Sequence, residues 1–145
     1  MTYTRTHKLV IAGASLWCFL VLIAPIYNLD AVYAFFRQIC HQLPNRSWWL
    51  DGSPLPVCIR CASIYMGFLV GSGAGFQPNP PVLLTSLVAT LAEFTLSHFI
   101  LDSAWLRASS GFALGFAVAP FIVVGIEEMI FNKAWQSKKV ARDSV

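Results

Sequence analysis

The sequence predicts an all-α membrane protein with four transmembrane helices, a short interfacial helix and a cysteine-rich extracytoplasmic loop. Of its 145 residues, 57% are hydrophobic and only 12% are charged, which is too apolar for an ordinary soluble domain. A helix that crosses a bilayer needs roughly 20 apolar residues, and four stretches approach that length: residues 9–27, 58–76, 82–101 and 111–131. The chain length predicts a single domain, residues 1–145.

The second span is the least regular of the four. Its apolar part, "ASIYMGFLVGSGAGF", is short and rich in glycine, so we expect its helix to begin in the preceding loop, within residues 57–61. A secretory signal peptide is the alternative interpretation of the first span. Its apolar run is too long for a signal peptide, and no small-x-small cleavage site precedes the cysteine loop.

Basic residues near the ends of the spans favour two cytoplasmic termini. Six of them lie on the side of the termini. Most of the six belong to a basic tail at residues 133–145, and such a tail is attracted to anionic lipid. This bias predicts a multi-pass protein of the bacterial inner membrane whose cysteine-rich loop faces outward. The six are Arg5, Lys8, Lys133, Lys138, Lys139 and Arg142, against Arg37, Arg46, Arg60 and Arg107 on the other side.

The segment "LDAVYAFFRQIC" after the first span predicts the short interfacial helix. Its apolar residues recur at helical spacing, which places Val32, Phe35, Phe36 and Ile39 on one face. Trp48 and Trp49 also suit the membrane interface. We therefore expect the loop to lie against the membrane surface.

Small residues recur every fourth position in the second and fourth spans. Such spacing lets helix backbones approach closely in lipid. It predicts that these two helices pack against each other, and it leaves open a homo-oligomer or a protein partner on the same faces. The residues are Gly67, Gly71 and Gly75 in the second span, and Gly111, Gly115 and Ala119 in the fourth.

The stretch "ICHQLPNRSWWLDGSPLPVCIRC" predicts a metal site. Cys58 and Cys61 form a C-x-x-C knuckle, a common way to offer two sulfur ligands to zinc, and Cys40 and His41 add two donors upstream. His98, near the outer end of the third span, is the alternative fourth ligand. Zinc is the predicted metal, and Arg60 is expected to offset the negative charge of the thiolates.

The same cysteines allow two other interpretations. An arginine and a helix N-terminus both lower a cysteine pKa, so Cys58 and Cys61 also suit a thiol–disulfide pair that passes electrons to quinone. A disulfide from Cys40 to either of them would be a structural staple, which is the default in an oxidising compartment. Cys18, in the middle of the first span, is interpreted as a small buried hydrophobe.

Five further side chains are candidates for a functional role. Arg46, Arg60 and Arg107 form a cationic group on the outer face, and guanidinium groups suit phosphate or carboxylate, lipid headgroups included. Glu93 lies inside the third span, where an ionisable residue is a functional candidate by default. Tyr65, one turn after Cys61, is expected to line the site. The absence of dense basic runs predicts no nucleic-acid binding.

The cysteine loop resembles the DUF2085 family of small bacterial and archaeal integral membrane proteins. The resemblance rests on a cysteine-histidine-glutamine step, an arginine after a proline, C-x-R-C, an I-Y-x-G helix start and a late arginine before Ser-Gly. This chain has Ser63 where the family usually has glycine. The matching residues are Cys40, His41, Gln42, Pro44, Arg46, Ser47, Gly52, Cys58, Arg60, Cys61, Ile64, Tyr65 and Gly67, followed by Arg107, Ser110 and Gly111.

Three functional hypotheses follow from these observations. The first is a membrane protein with a zinc site at the outer face, acting on an anionic or lipid-like substrate. The second is a membrane thiol oxidoreductase that uses quinone. The third is a non-catalytic subunit or assembly factor of a membrane complex. The sequence leaves open whether the protein is an enzyme.

Overall fold

A computed structural model describes residues 5–99 and 103–143, with side chains described for residues 5–97 and 103–130. The described chain is mostly helical. Its five α-helices are α1 (Arg5–Ile23), α2 (Asp30–Phe36), α3 (Ile59–Ala74), α4 (Pro80–Phe99) and α5 (Ala104–Asp143), and a single 3₁₀ turn (Pro44–Arg46) lies between α2 and α3.

Three of the described helices are long and apolar enough to cross a membrane: α1, α4 over Pro80–Ser97 and α5 over Ala104–Ile130. The helix predicted for residues 58–76 is α3, which begins at Ile59 as expected from the shortness of its apolar run. It has only 16 residues, or about 24 Å of helix, against a hydrocarbon core about 30 Å thick. The structure therefore confirms three of the four predicted spans by length and composition.

A β-hairpin in the cysteine loop corrects the all-α prediction. Strand β1 (Trp49–Leu50) pairs antiparallel with β2 (Ser53–Pro54). Asp51 and Gly52 form the turn with φ of 52° and 77°, the left-handed conformation that a type I′ hairpin turn requires at both positions. The hairpin makes the loop a folded unit with defined strand register.

Helix α3 packs against α5 through glycines. A Cβ on Gly67 would meet the carbonyl of Phe112, and one on Gly71 would lie 2.6 Å from the carbonyl oxygen of Phe116. From the other side, Gly111 and Gly115 face the carbonyls of Arg60 and Ile64. The predicted packing of these two helices is confirmed.

The same contacts correct the suggestion of a partner on the glycine faces. Gly67, Gly71, Gly111 and Gly115 are buried within the chain, so they present no free surface to a second protein. Gly75 has a different role. It ends α3 in the left-handed conformation, with φ of 63°, which glycine adopts without a steric penalty.

Helix α5 is 40 residues long and contains Pro120. Proline has no N–H to donate to the carbonyl four residues earlier, and that carbonyl belongs to Phe116, beside Gly71. Residues 133–145, predicted as a basic tail, continue α5 as helix to Asp143. The side chains of Lys133, Lys138, Lys139 and Arg142 lie outside the described part.

An aromatic cluster joins α1, α2 and α3. The Trp17 ring makes edge contacts with Phe36 and Tyr65, at centroid distances of 5.1 and 5.8 Å. Phe36 is buried whereas Phe35 and Ile39 are exposed, so α2 turns only part of its predicted apolar face into the protein. This packing fixes the position of the chain just before Cys40.

Candidate metal centre and arginine cavity

Cys58 and Cys61 lie at the start of α3. Cys58 is the residue before the first helical turn, with extended backbone angles, and Cys61 follows within that turn. A C-x-x-C segment that enters a helix brings its two sulfurs to the same end of the helix, because residues three apart share a helix face. The local fold therefore presents both thiols toward the loop that precedes α3.

Cys40 joins them from the other end of the loop. It is buried after α2, and its backbone N–H donates to the carbonyl of Phe36 at 2.8 Å. Its Sγ accepts a hydrogen bond from the backbone N–H of Cys58 at 3.2 Å. The sulfurs of Cys40, Cys58 and Cys61 all lie within 4.8 Å of one another, so residues 18 and 21 positions apart converge on one point.

Gln42 holds this loop in place. Its side-chain amide donates to the carbonyls of Tyr33 at 2.7 Å and Pro56 at 2.9 Å, which ties the end of α2 to the segment before Cys58. The Tyr33 hydroxyl donates in turn to the carbonyl of Pro54 at 2.5 Å. Gln42 has a φ of 50°, a left-handed conformation that is costly outside glycine. Its two hydrogen bonds offset that cost and set the register between Cys40 and Cys58.

The predicted fourth ligands differ in their placement. His41 is exposed and lies outside the three-sulfur group, although it lines the cavity next to it. The side chain of His98 lies outside the described residues. The identity of a fourth ligand stays a prediction. Cys18 is buried in α1, away from the cluster, as its interpretation as a small hydrophobe requires.

The hydrogen bond from the Cys61 thiol holds the pKa of Cys58 well below its ordinary value of 9.0, despite the opposing effect of burial. Cys58 lies in the loop, one residue before α3 begins. A lowered pKa favours the thiolate form of Cys58 at neutral pH, since a group loses its proton above its pKa. The thiolate is the form that binds metal and the form that attacks disulfides.

A buried ion pair lies beside the cysteines. Arg60, between the two cysteines of the knuckle, donates to Oε2 of Glu93 from Nη2 at 2.6 Å and from Nε at 3.2 Å. The Ser110 hydroxyl donates to the same oxygen at 3.3 Å, and Nε of Arg107 lies 4.0 Å from Oε1. Glu93 and Arg107 are both buried, and Arg60 also lies over the Phe94 ring. Glu93 thus connects α4 to the first turns of α3 and α5.

A cavity of about 310 Å³ opens next to this ion pair. All three arginines predicted as a cationic group line it: Arg46 from the 3₁₀ turn, Arg60 from α3 and Arg107 from α5. Cys40 and Cys58 line it as well, so the thiol cluster and the arginines share one wall. The arrangement suits an anion bound next to a thiolate site.

Tyr65 packs with Cys58 and Cys61 against the buried cluster that contains Cys40, outside the arginine cavity. It lies one turn after Cys61 and packs against Trp17 and Phe36, on the side of α3 that faces α1. The residues that line the arginine cavity do not include it. That Tyr65 lines the thiol site stays a prediction.

Comparison with known proteins identifies the family to which this chain belongs. A family model described as "Predicted membrane protein (DUF2085)" matches residues 40–121, more than half of the chain. The chain belongs to the DUF2085 family. An uncharacterised protein of Methanocaldococcus jannaschii is 34% identical over 113 residues, which cover 70% of this chain and 72% of that protein. An uncharacterised protein of Methanothermobacter thermautotrophicus is 50% identical over 32 residues, 22% of this chain and 29% of that protein. No solved structure gives a significant match.

The DUF2085 match contains the whole site. It begins at Cys40 and ends 14 residues after Arg107, so the three cysteines, Arg60 and Glu93 all fall inside it, whereas α1 and α2 lie outside. Two features of this DUF2085 chain escaped the sequence analysis: the anchoring bonds of Gln42 and the pairing of Glu93 with Arg60. A signal for the second was present, because a carboxylate in an apolar helix needs a cation.

Proposed function

We propose that this protein binds one zinc ion through Cys40, Cys58 and Cys61 at the outer face of the membrane, beside a cavity that receives an anionic or lipid-like ligand. The single observation that carries the proposal is the convergence of the three sulfurs within 4.8 Å of one another. Tetrahedral zinc with ligand bonds of about 2.3 Å separates its sulfur ligands by about 3.8 Å. The three sulfurs are therefore close enough to share one ion with only small side-chain movements.

The fourth position determines what the zinc does. With His41 or His98 as fourth ligand, the site is closed and the zinc holds the loop on the bundle. With water in that position, the zinc is a Lewis acid next to the arginine cavity. His41 already lines the cavity, and a rotation of its exposed side chain is the simplest way to close the site.

The membrane topology is part of the proposal. We infer that α3 is a fourth span, that both termini are cytoplasmic and that the cysteine loop lies outside the bacterial inner membrane. The basic residues around the termini support this orientation. Fusing a reporter that is active only in the cytoplasm to the C-terminus, or inserting it after Gly52, tests it. The C-terminal fusion should be active and the loop fusion inactive.

Replacing any of the three cysteines of the cluster should remove the zinc. Purified in detergent, the wild-type protein should contain about one zinc ion per chain, and Cys40→Ser, Cys58→Ser and Cys61→Ser should each retain less than about a tenth of it, because affinity depends on the full set of deprotonated ligands. Elemental analysis by plasma mass spectrometry measures this content. Cys18→Ala is the matched control, since Cys18 lies outside the cluster, and it should keep the ion.

Two results would contradict the ligand assignment: wild-type protein purified without added chelator that contains no metal, and a full zinc content in Cys58→Ser. His41→Ala identifies the fourth ligand. If His41 closes the site, this variant should bind zinc more weakly in a competition with a chromogenic chelator. Unchanged affinity would favour His98 or water instead.

A thiol oxidoreductase is the second candidate, supported by the lowered pKa of Cys58 and its hydrogen bond with Cys61. In that function, oxidation of the two thiols forms one disulfide and delivers two electrons and two protons to a quinone. Counting thiols in unfolded protein before and after reduction separates the candidates. A zinc protein should give four thiols in both measurements. Two thiols before reduction, with no metal, would contradict the zinc site, and a disulfide between Cys58 and Cys61 in that sample would favour the redox function over a staple to Cys40.

A further inference from the structure

The arginine cavity combines positive charge with burial. Three guanidinium groups line it, and the carboxylate of Glu93 is paired with two of them, those of Arg60 and Arg107. These four side chains therefore carry a net charge of +2. Zinc with three thiolates would carry −1, so the cavity would remain positive with the metal bound. Excess charge in a partly buried site is unfavourable unless a counter-ion compensates it.

Glu93 fixes the direction of the guanidinium groups. Because Nε and Nη2 of Arg60 both point at Oε2 of Glu93, the plane of this guanidinium is set before any ligand arrives. Nε of Arg107 lies 4.0 Å from the other oxygen of the same carboxylate, Oε1. Preorganised donors lose little conformational entropy on binding. Both arginines also lie in the first turn of their helices, where the helix dipole favours negative charge.

We propose that this cavity binds a phosphate group, whether of a lipid headgroup or of free phosphate. The inference rests on the anionic ligand of the proposed function and names its chemistry. Three guanidinium groups from three separate segments can engage three oxygens of a tetrahedral anion, whereas a planar carboxylate offers only two. The cavity volume of about 310 Å³ admits a headgroup.

The cavity wall allows either source of the phosphate. Leu43 and Phe94 line it, and both are exposed apolar side chains. Phe94 belongs to α4, one of the helices apolar enough to span a membrane. A phosphate carried by a lipid can therefore enter while its acyl chains stay in the bilayer. Free phosphate can enter from the side of His41, which is exposed.

Titration of the zinc-loaded protein in neutral detergent tests the inference. The probes are inorganic phosphate, dioctanoyl phosphatidic acid and, as a control lipid without phosphate, dioctanoylglycerol, and calorimetry gives the Kd of each. We expect Arg107→Gln and Arg46→Gln each to raise the Kd of the phosphate probe about tenfold, the usual effect of removing a charge-assisted hydrogen bond. Arg46 is only half-buried at the cavity wall, so Arg46→Gln should disturb the fold less than Arg107→Gln. The test therefore stays valid if Arg107→Gln fails to fold.

Arg37→Gln is the matched control, because Arg37 is exposed in the same loop region and does not line the cavity. Its Kd should stay within about twofold of the wild-type value. Binding of inorganic phosphate alone, of phosphatidic acid alone, or of both would support the inference and identify the source. Three results would overturn it: no binding of either phosphate probe, equal losses in Arg37→Gln and Arg46→Gln, or equal affinity for dioctanoylglycerol and phosphatidic acid.

The zinc content of the same samples separates this inference from the proposed function. Zinc-containing protein that binds neither phosphate probe would overturn the phosphate site and leave the metal site intact. Arginine-dependent phosphate binding by protein that never contains metal would support the phosphate site and contradict the metal site.

Discussion

Replacing Glu93 with glutamine should lower the free energy of unfolding by about 3–5 kcal/mol, the usual cost of breaking a buried ion pair from one side. The Glu93 carboxylate is only 8% exposed and lies 2.6 Å from Arg60. Arg107, also buried, lies on its other side. Glutamine has nearly the same shape and can still accept a hydrogen bond, so the loss would come from the missing charge between two guanidinium groups.

Unfolding in mixed micelles, with the fraction of dodecyl sulfate increased and helix content followed by circular dichroism, measures this effect. Glu128→Gln is the matched control, since Glu128 is exposed on α5, and it should change stability by less than about 0.5 kcal/mol. The double variant Arg60→Gln/Glu93→Gln should lose less than the sum of the two single losses, because the residues interact directly. Equal stability of Glu93→Gln and the wild type would show that the pair contributes nothing.

The helices were predictable because each depends on a local property. Apolar length alone located α1, α4 and α5, and the shortness of the second apolar run correctly placed the start of α3 in the preceding loop. The spacing of Gly67 and Gly71 also predicted their contact with the fourth span, since only glycine permits backbones to approach so closely. Whether such glycines face a helix of the same chain or of another cannot be read from their spacing.

The β-hairpin was missed although its signal was present. Asp-Gly between short extended segments is among the strongest sequence indications of a two-residue hairpin turn, and Asp51 and Gly52 adopt that turn. The segment before it is dominated by Trp48 and Trp49, which the sequence analysis assigned to the membrane interface. That assignment concerned the environment of the side chains and gave no information about backbone pairing.

The site was predicted in part. Ligand chemistry correctly grouped Cys40 with Cys58 and Cys61, whose sulfurs lie within 4.8 Å of one another. The role of Arg60 was not predictable in the same way. Its sequence neighbours are the cysteines, so charge compensation of thiolates was the nearest interpretation, yet its guanidinium pairs with Glu93, 33 residues away. Only the packing of both α3 and α4 against α5 brings the two together.

Replacing Gly115 with alanine should destabilise the protein by about 3 kcal/mol, in the upper part of the range for overpacked cores. A Cβ at this position would meet the carbonyl of Ile64 and would lie 2.9 Å from the backbone nitrogen of Phe68. Backbone atoms inside a helix cannot rotate away as a side chain can, so α3 and α5 would have to move apart. The shift in the dodecyl sulfate midpoint measures the loss.

Gly125→Ala is the matched control on the same helix, because a Cβ there meets nothing within 4 Å. It should leave stability unchanged or raise it by about 0.5–1 kcal/mol, since alanine is more favourable than glycine inside a helix.

The two variants also differ in their expected effect on the site. Moving α3 away from α5 separates Arg60 from Arg107 and from Glu93 on α4, so Gly115→Ala should weaken anion binding as well as stability, whereas Gly125→Ala should leave anion binding unchanged. A stable Gly115→Ala protein with unchanged binding would mean that the helices are less closely packed than their glycines indicate.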